Sequence, residues 1–229
     1  MKEKDAKIFP LGESALTIDF GNEISVLLNN RVLKLANFFA ENPFAGFEEI
    51  VPAYSSLTIF YNVFTVRKNY QEFSTAFEAV KSFAENALNN SSDFQTYQPR
   101  TIQIPVCFDK EFALDLEFIA ASRKLLPEKV IEIFIGKTYR VFMLGFLPGF
   151  SYMGEVDERI STPRKQTPHT KVPKGSVGIA GKQTGIYSLE SPGGWQIIGK
   201  TNIELFTPKA ETPTFLQAGD SVKFYESKF

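Results

Sequence analysis

The clearest chemical feature of this 229-residue sequence is a stretch that carries positive charge and no negative charge. Between Arg159 and Leu189 there are six lysines or arginines and neither aspartate nor glutamate. A surface of one charge sign concentrates ligands of the opposite sign. Arg164 is the preferred anion contact, because its planar guanidinium can hold a carboxylate through two hydrogen bonds. The stretch predicts a binding site for an anion or a partner. The alternative interpretation is that its lysines belong to solvated loops and bind no ligand.

The backbone around these cations is interrupted repeatedly by glycine and proline. Residues 145–199 contain ten of the fifteen glycines, five of the thirteen prolines and the single tryptophan. Glycine permits positive φ and close backbone approach, whereas proline fixes φ. This composition is typical of a shaped binding surface, although a β-barrel with many tight turns requires the same residues.

The single histidine, His169, lies in the same stretch between Pro168 and Pro173. The flanking prolines predict a loop at this position. One interpretation is an exposed loop histidine without a role. The other is a proton donor or anion contact within the cationic stretch.

Several catalytic patterns are excluded or rejected. Cys107 follows an apolar strand pattern and is interpreted as a core residue. Because the chain has one Cys and one His, ordinary zinc ligation is excluded and no metal site is expected. Residues 194–201 match the phosphate-loop pattern G-x-x-x-x-G-K-[ST]. That loop needs a flexible backbone that opens a helix, whereas the intervening Trp-Gln-Ile-Ile is strand-like. The match is therefore rejected, and nothing in the spacing supports a Ser-His-Asp triad.

Composition narrows the class of protein and of partner. Hydrophobic residues make up 43% of the chain and charged residues 22%, as in a soluble globular protein. A formal net charge of −1 argues against general nucleic-acid binding. Charged residues precede any apolar run near the start, and no run approaches membrane length. Together with the single cysteine, these features predict a cytoplasmic protein without nucleic-acid or membrane partners.

The hydrophobic periods divide the chain into two predicted domains. In residues 1–90 the order is strand, helix, strand, strand, helix, which predicts a ferredoxin-like α/β sandwich. These elements are placed at 14–20, 24–39, 48–51 and 56–61, with a helical stripe from Tyr70 to Leu88. Residues 91–100 lack periodicity and are interpreted as a linker.

Residues 101–229 form the second predicted domain, in which short strands dominate. A strand at 102–106 precedes two helices, one over 114–124 and one that begins at Pro127. Further strands are predicted at 138–146, 176–180, 185–189, 195–198 and 221–225, a spacing typical of a barrel. The predicted fold class is therefore α+β, a ferredoxin-like sandwich followed by a β-barrel.

Five ordered motifs in the second half resemble those of the 5-oxoprolinase B-subunit family, also called the KipI or allophanate hydrolase subunit 1 family. They are GFLPGFSYMG at 145–154, TPRKQTP at 162–168, VPKGSVGIAG at 172–181, QTGIY at 183–187 and SPGGWQIIG at 191–199. Matches at 12–16, 51–57 and 104–109 extend the resemblance over nearly the whole chain. It implies an N-terminal α/β domain and a C-terminal cyclophilin-like β-barrel.

The resemblance implies a function within a complex. Members of the family pair with a larger C-type partner, related to allophanate hydrolase subunit 2, and with an A-type partner of the LamB/YcsF kind in the ATP-dependent opening of 5-oxoproline to glutamate. ATP, and Mg²⁺ if it accompanies the nucleotide, would be bound with the larger partner. The alternatives are a non-catalytic module that inhibits a sensor histidine kinase, and a component related to allophanate hydrolase or urea carboxylase.

The reaction that the resemblance implies leads to a hypothesis about individual residues, based on their chemistry, and it identifies no catalytic residue. Phosphorylation of the lactam carbonyl by ATP would require cations and N–H donors around developing negative charge. The candidates for ligand binding are Arg164, His169, Lys171, Lys174 and Lys200 for charge, Gln183 and Thr184 for orientation, and Tyr187 and Trp195 as walls that exclude water or as core residues. The candidates for an exposed partner interface are Phe146, Phe150 and Tyr152.

Overall fold

The computed structural model describes residues 6–90 and 99–229, so most of the predicted linker lies outside the described residues. Packing divides the chain into two compact units, one up to Gln98 and one from Pro99 onward. The first unit has one hydrophobic core and the second has a large and a small one. No helix within the described ranges is both long enough and apolar enough to cross a membrane.

Within residues 6–90, the first unit is an antiparallel four-stranded sheet accompanied by three helices. Its strands, in the sheet order β1-β2-β4-β3, are β1 (Lys7–Pro10), β2 (Ala15–Asp19), β3 (Phe47–Pro52) and β4 (Ser56–Tyr61). Its helices are α1 (Val26–Glu41), α2 (Val63–Asn69) and α3 (Ala76–Asn89). The side chains of β4 alternate in burial, so Leu57, Ile59 and Tyr61 enter the core that the helices cover.

The predicted order of strand, helix, strand, strand, helix is present, but the structure adds β1 and α2. In a ferredoxin-like sandwich, the edge strand that pairs with the first strand comes after the second helix in the chain. Here the strand at that edge, β1, comes before β2 in the chain and pairs with it as an antiparallel neighbour. The unit is therefore mixed α/β, and its ferredoxin-like character is not established.

The helix predicted from Tyr70 is wrong in its first turn, because α3 begins at Ala76. Thr75 caps it: the Thr75 Oγ1 accepts a hydrogen bond from the Glu78 N–H at 3.1 Å, and the Glu78 carboxylate accepts one from the Thr75 N–H at 3.1 Å. Tyr70 and Phe73 lie in the preceding connection and pack against the same core. Apolar spacing alone did not distinguish this packed connection from a helical turn.

The second unit contains nine strands and two helices in the described residues. The strands are β5 (Thr101–Val106), β6 (Thr138–Leu144), β7 (Ser151–Gly154), β8 (His169–Val172), β9 (Ser176–Ala180), β10 (Gln183–Ile186), β11 (Ser191–Gly193), β12 (Gln196–Lys200) and β13 (Ser221–Glu226). The helices are α4 (Leu116–Arg123) and α5 (Pro127–Ile135). Seven strands form one sheet in the order β12-β9-β10-β7-β6-β13-β5, and β8 pairs with β11 as a separate ribbon.

The seven-stranded sheet curls, and an isolated bridge joins the ends of its two edge strands. Cys107, directly after β5, exchanges two backbone hydrogen bonds of 2.8 and 2.9 Å with Lys200 at the end of β12. Inside the curl, Val106, Phe134, Val177 and Phe224 belong to one buried core. This curled half-barrel is compatible with a cyclophilin-like fold.

Most strands of the second unit lie where the periodicity predicts them, with ends shifted by a few residues. The predicted strand at 138–146 ends earlier, at Leu144, before Phe146 adopts a left-handed backbone with φ of 68°. The prediction missed β7, β8 and β11, which have three or four residues and lie among glycines and prolines. Such short segments are too brief to show a period of two.

Candidate functional site

A cavity of about 280 Å³ lies in the second unit, where five aromatic side chains surround a space next to Arg164. We call it the aromatic cavity. The aromatic residues that line it are Phe146, Phe150, Tyr152, Tyr187 and Trp195. Pro168, Pro192, Gly193 and Gly194 complete the lining, so the ribbon of β8 and β11 borders the cavity.

Phe150 is the centre of the aromatic packing. Its ring centroid lies 4.9 Å from that of Tyr152, 5.3 Å from that of Tyr187 and 5.4 Å from that of Trp195. All three contacts are edge-to-face, the arrangement that the ring quadrupole favours. Phe150, Tyr187 and Trp195 are buried, whereas Phe146 is 61% exposed. The cavity therefore has a rigid floor, and its exposed aromatic side chain is Phe146 rather than Phe150, which was predicted at an exposed interface.

Gly193 explains part of the high glycine content at this site. A Cβ atom at this position would lie 2.2 Å from the Tyr187 hydroxyl oxygen, far inside van der Waals contact. The backbone of β11 can thus approach the Tyr187 ring only because residue 193 has no side chain. Burial raises the pKa of Tyr187, so its phenol stays protonated and can donate a hydrogen bond to a ligand.

Arg164 supplies the positive charge at the aromatic cavity. Its guanidinium carbon lies 5.9 Å from the ring centroid of Trp195, within the range of a cation–π contact. None of the ion pairs among the described residues involves Arg164. The residue is exposed, and its guanidinium can bind an anion through its N–H groups.

Asp115 is a buried carboxylate that holds the adjacent segment in place. Its Oδ2 accepts a hydrogen bond from the Ile197 N–H at 2.8 Å and lies 2.8 Å from the His169 Nε2. Its Oδ1 forms an ion pair with the ammonium of Lys165. The Asp115 N–H in turn donates to the Ile197 carbonyl at 2.7 Å. This Asp115 cluster connects the residue before α4 with β8, β12 and the residue next to Arg164.

The hydrogen bonds of the cluster determine the charge state of Asp115. Burial alone would raise the pKa of this carboxyl group. The hydrogen bonds from Lys165, from the Ile197 N–H and from His169 favour the charged form, and they hold the pKa of Asp115 below its usual 3.8. Asp115 is therefore an anion at neutral pH, and its charge neutralises that of Lys165, the residue next to Arg164.

The charge of Asp115 is expected to contribute to the free energy of unfolding. Because that contribution depends on pH, the Asp115→Asn variant makes it measurable. Because the pKa of Asp115 is lowered on folding, its stabilisation is complete above pH 3.8 and is lost as the pH falls below that value. We expect Asp115→Asn to lower the free energy of unfolding by about 2 kcal/mol at pH 7, because bonds to a charged group are lost. Urea unfolding over a pH series should show the two proteins converging in acid. A difference that does not depend on pH would contradict this.

The other predicted cations do not line the aromatic cavity. Lys171 forms an ion pair of 3.2 Å with Glu190, and Lys174 one of 2.6 Å with Glu204. The ammonium of Lys200 lies 5.2 Å from the ring centroid of Phe112. Glu190 and Glu204 lie outside the acid-free stretch in sequence, so folding neutralises charges that the sequence leaves unbalanced.

The remaining predicted residues, Thr184, Gln183 and His169, do not line the aromatic cavity either. Thr184 is buried in β10, where its hydroxyl donates to the Gly178 carbonyl at 2.9 Å, and Gln183 begins the same strand. The loop predicted at His169 is wrong, because His169 begins β8 and its ring contacts Asp115. No group of three or more His, Cys, Asp or Glu side chains within residues 6–90 and 99–229 is placed to hold a metal ion.

Comparison with known proteins gives the family. The family model described as carboxyltransferase domain, subdomain C and D, matches residues 6–216. The 5-oxoprolinase B subunit of Bacillus subtilis (strain 168) is 47% identical over 219 residues, which cover 95% of this chain and 91% of the relative. The chain belongs to the 5-oxoprolinase B-subunit family. The resemblance inferred from the five motifs is confirmed.

Two further proteins are similar to this chain over nearly its full length. The 5-oxoprolinase B subunit of Haemophilus influenzae is 38% identical over 218 residues, which cover 95% of this chain and 96% of the relative. The crystal structure of TTHA0988 superposes with a TM-score of 0.78 and is 32% identical, with 94% of this chain covered. The matched region is 40% of the TTHA0988 chain, so the fold of this chain also occurs within longer polypeptides.

Proposed function

We propose that this chain is the small component of an ATP-dependent 5-oxoprolinase, which opens 5-oxoproline to glutamate together with a larger C-type partner. The observation that carries this proposal is the 47% identity to a 5-oxoprolinase B subunit over nearly the full length of both chains. The reaction consumes one ATP and two water molecules for each lactam ring and gives glutamate, ADP and phosphate.

The chemical difficulty of the reaction lies in the lactam carbonyl, which amide resonance makes a poor electrophile. Transfer of the terminal phosphoryl group of ATP to the carbonyl oxygen, with release of ADP, activates the ring carbon toward water. Addition of one water molecule and cleavage of the C–N bond open the ring to γ-glutamyl phosphate, and a second water molecule hydrolyses this acyl phosphate to glutamate and phosphate. Negative charge develops at each stage, so the site requires fixed cations and N–H or O–H donors.

The aromatic cavity provides features that suit a small lactam acid. Its volume of about 280 Å³ lies near the lower end of ligand pockets, as expected for a five-membered ring. Arg164 would bind the carboxylate through two parallel hydrogen bonds, and the protonated Tyr187 hydroxyl would donate to an oxygen of the substrate. Phe150 and Trp195 would cover the apolar ring face and exclude bulk water.

The proposal includes a partner because the lining contains no Asp, Glu or His among the described residues, the side chains that most often act as a general base. The larger C-type partner, with an A-type partner of the LamB/YcsF kind, would dock at the exposed Phe146. It would supply that base and bind ATP with Mg²⁺. The occurrence of this fold within the longer TTHA0988 chain supports an arrangement in which a second polypeptide region completes the site.

The finer structural assignments belong to the same proposal. Residues 1–90 would form a ferredoxin-like domain whose edge strand, β1, comes from the N-terminal side, and residues 101–229 a cyclophilin-like β-barrel. The connection at 91–100 would act as the linker between them. The assembled complex would work in the cytoplasm, where ATP is supplied.

Reconstitution tests this function. The purified chain is mixed with its C-type and A-type partners, and ADP release is followed with and without 5-oxoproline. We expect Arg164→Ala to lower kcat/KM for 5-oxoproline about 100-fold, because a charged hydrogen-bonding partner of the carboxylate is lost. Lys182→Ala is the matched control, since it removes a charge of the same stretch from an exposed pair with Glu158.

Two outcomes would contradict the proposal at different levels. Full turnover by Arg164→Ala would reject the aromatic cavity as the carboxylate site while leaving the role in the complex intact. Failure of the wild-type chain to support 5-oxoproline-dependent ADP release with its partners, together with suppression of histidine kinase autophosphorylation, would favour the inhibitory module instead.

A further inference from the structure

A second cavity, of about 360 Å³, shares Arg164 with the aromatic cavity. Three cationic side chains, Arg123, Arg164 and Lys165, line it, and the described lining contains no acidic residue. The remaining lining combines the apolar Phe118 and Pro163 with polar residues, among them Gln166 and Gln196. We call this second space the guanidinium cavity.

The two arginines of the guanidinium cavity have no counter-charge, whereas the lysine has one. Lys165 forms its ion pair with Asp115, which leaves the charges of Arg123 and Arg164 uncompensated. Within residues 6–90 and 99–229, neither guanidinium forms an ion pair with an acid. Arg123 ends α4 and Arg164 comes from the segment before β8, so two separate elements direct like charges to one space. Like charges that face one cavity repel each other unless an anion lies between them.

Gln196 adds an unsatisfied group to the same lining. Its side-chain N–H donates to the Pro163 carbonyl at 3.0 Å, which fixes the backbone next to Arg164. Its Oε1 is buried and has no hydrogen-bond partner within the described residues. A buried acceptor without a donor is unfavourable, and such groups in native proteins require an explanation. A shift of the Gln196 side chain toward the cavity would expose this oxygen to a ligand O–H group, the kind of donor that it lacks.

We propose that the guanidinium cavity binds a tetrahedral oxyanion of the phosphate class. A carboxylate carries one charge and two coplanar oxygens, and a single guanidinium satisfies it. A phosphate group near pH 7 carries about −1.5 to −2 charges and at least three acceptor oxygens, which matches two uncompensated guanidinium groups. Its protonated form also carries the O–H donor that the Gln196 oxygen lacks. The source is either free phosphate or the terminal phosphate of a nucleotide.

This binding goes beyond the proposed function because it requires neither a partner protein nor 5-oxoproline. Its test is therefore made on the full chain alone. Inorganic phosphate is titrated calorimetrically at constant ionic strength, and the titration is repeated with Arg123→Gln. We expect Arg123→Gln to weaken phosphate binding by about tenfold or more, the effect of losing charge-assisted hydrogen bonds.

Lys124→Gln is the matched control for this variant. Lys124 directly follows Arg123, is exposed and does not line the guanidinium cavity, so its replacement removes the same charge from the same helix end. We expect phosphate affinity within about twofold of the wild type. Equal weakening by both variants would mean that general surface charge attracts phosphate, and it would overturn the proposal.

Modification of arginine provides a measurement that does not depend on a variant. Phenylglyoxal reacts with exposed guanidinium groups, and mass spectrometry locates the modified residues. Phosphate is expected to protect Arg123 and Arg164 but to leave Arg67, in the first unit, reactive. Absence of protection, or equal protection by acetate at the same ionic strength, would overturn the phosphate assignment.

Nucleotides distinguish the two sources of the phosphate group. Tighter binding of ATP than of phosphate, with competition between the two, would identify a nucleotide site, whereas similar affinities would identify free phosphate. Either result supports the proposal. If phosphate binds as expected but the reconstituted complex has no 5-oxoprolinase activity, the phosphate site stands and the proposed function fails.

Discussion

Replacement of Asp115 by alanine is expected to lower the free energy of unfolding of the second unit by about 3 kcal/mol. The substitution removes the common partner of Lys165, His169 and the Ile197 N–H, all of which contact the Asp115 carboxylate. Loss of one member of a buried ion pair costs about 3–5 kcal/mol in general, because a charge remains without compensation. The lower end applies here because the side chain of Lys165 is 24% exposed and can turn partly toward water.

Chemical denaturation of the wild type and of Asp115→Ala at pH 7 measures this difference. Glu158→Ala is the control, because its carboxylate also pairs with a lysine but lies on the surface, 80% exposed. We expect no resolvable change from that variant. If the two variants behave alike, the Asp115 cluster does not stabilise the unit, and Lys165 is held by other contacts.

Gly175→Ala is expected to destabilise the second unit by about 2–4 kcal/mol, the sum of a conformational and a steric cost. The backbone at Gly175 has φ of 85°, which side-chain-bearing residues rarely adopt. A Cβ atom there would lie 2.1 Å from the Thr201 carbonyl oxygen. Backbone hydrogen bonds of 2.7 Å to the Tyr187 carbonyl and of 2.9 Å from the Thr201 N–H fix the position. Relief of the clash would therefore also move Tyr187 at the aromatic cavity.

Gly181→Ala separates the two costs. Gly181 also has a positive φ, of 61°, but a Cβ atom there meets nothing within 4 Å. We expect about 1 kcal/mol for this variant, which carries the conformational cost alone. Thermal and chemical unfolding of both proteins give the comparison. Similar losses at the two positions would show that the Thr201 backbone yields easily and that the steric argument is wrong.

The parts of the fold that could be predicted are those in which a hydrophobic period continues for several residues. The strand at 176–180 and the helix that begins at Pro127 lie where the sequence places them. The flanking prolines predict a loop at His169, whereas β8 fits between them. The start of α3 was missed even though the sequence contains its signal, the threonine at 75 followed by the glutamate at 78.

The sequence predicts several residues that line the candidate site, but not which residues pair with one another there. Arg164, Tyr187 and Trp195 were candidates from the sequence, and all three line the aromatic cavity. Asp115 was missed because it lies 50 residues from Lys165 and 82 from Ile197, so no local pattern relates them. The acid-free stretch predicts a single cationic hollow, but acids from elsewhere in the chain pair with all four of its lysines. The balance of charges on the surface depends on the fold, so a count of charged residues along the sequence cannot give it.

The position of β13 in the sheet has a consequence for biosynthesis. This strand lies between β6 and β5 and is the last of the seven to be translated. Until β13 has emerged from the ribosome, β5 therefore has no neighbour on its β13 side. The second unit cannot complete its sheet until residue 226 has emerged, whatever the order in which the earlier strands pair.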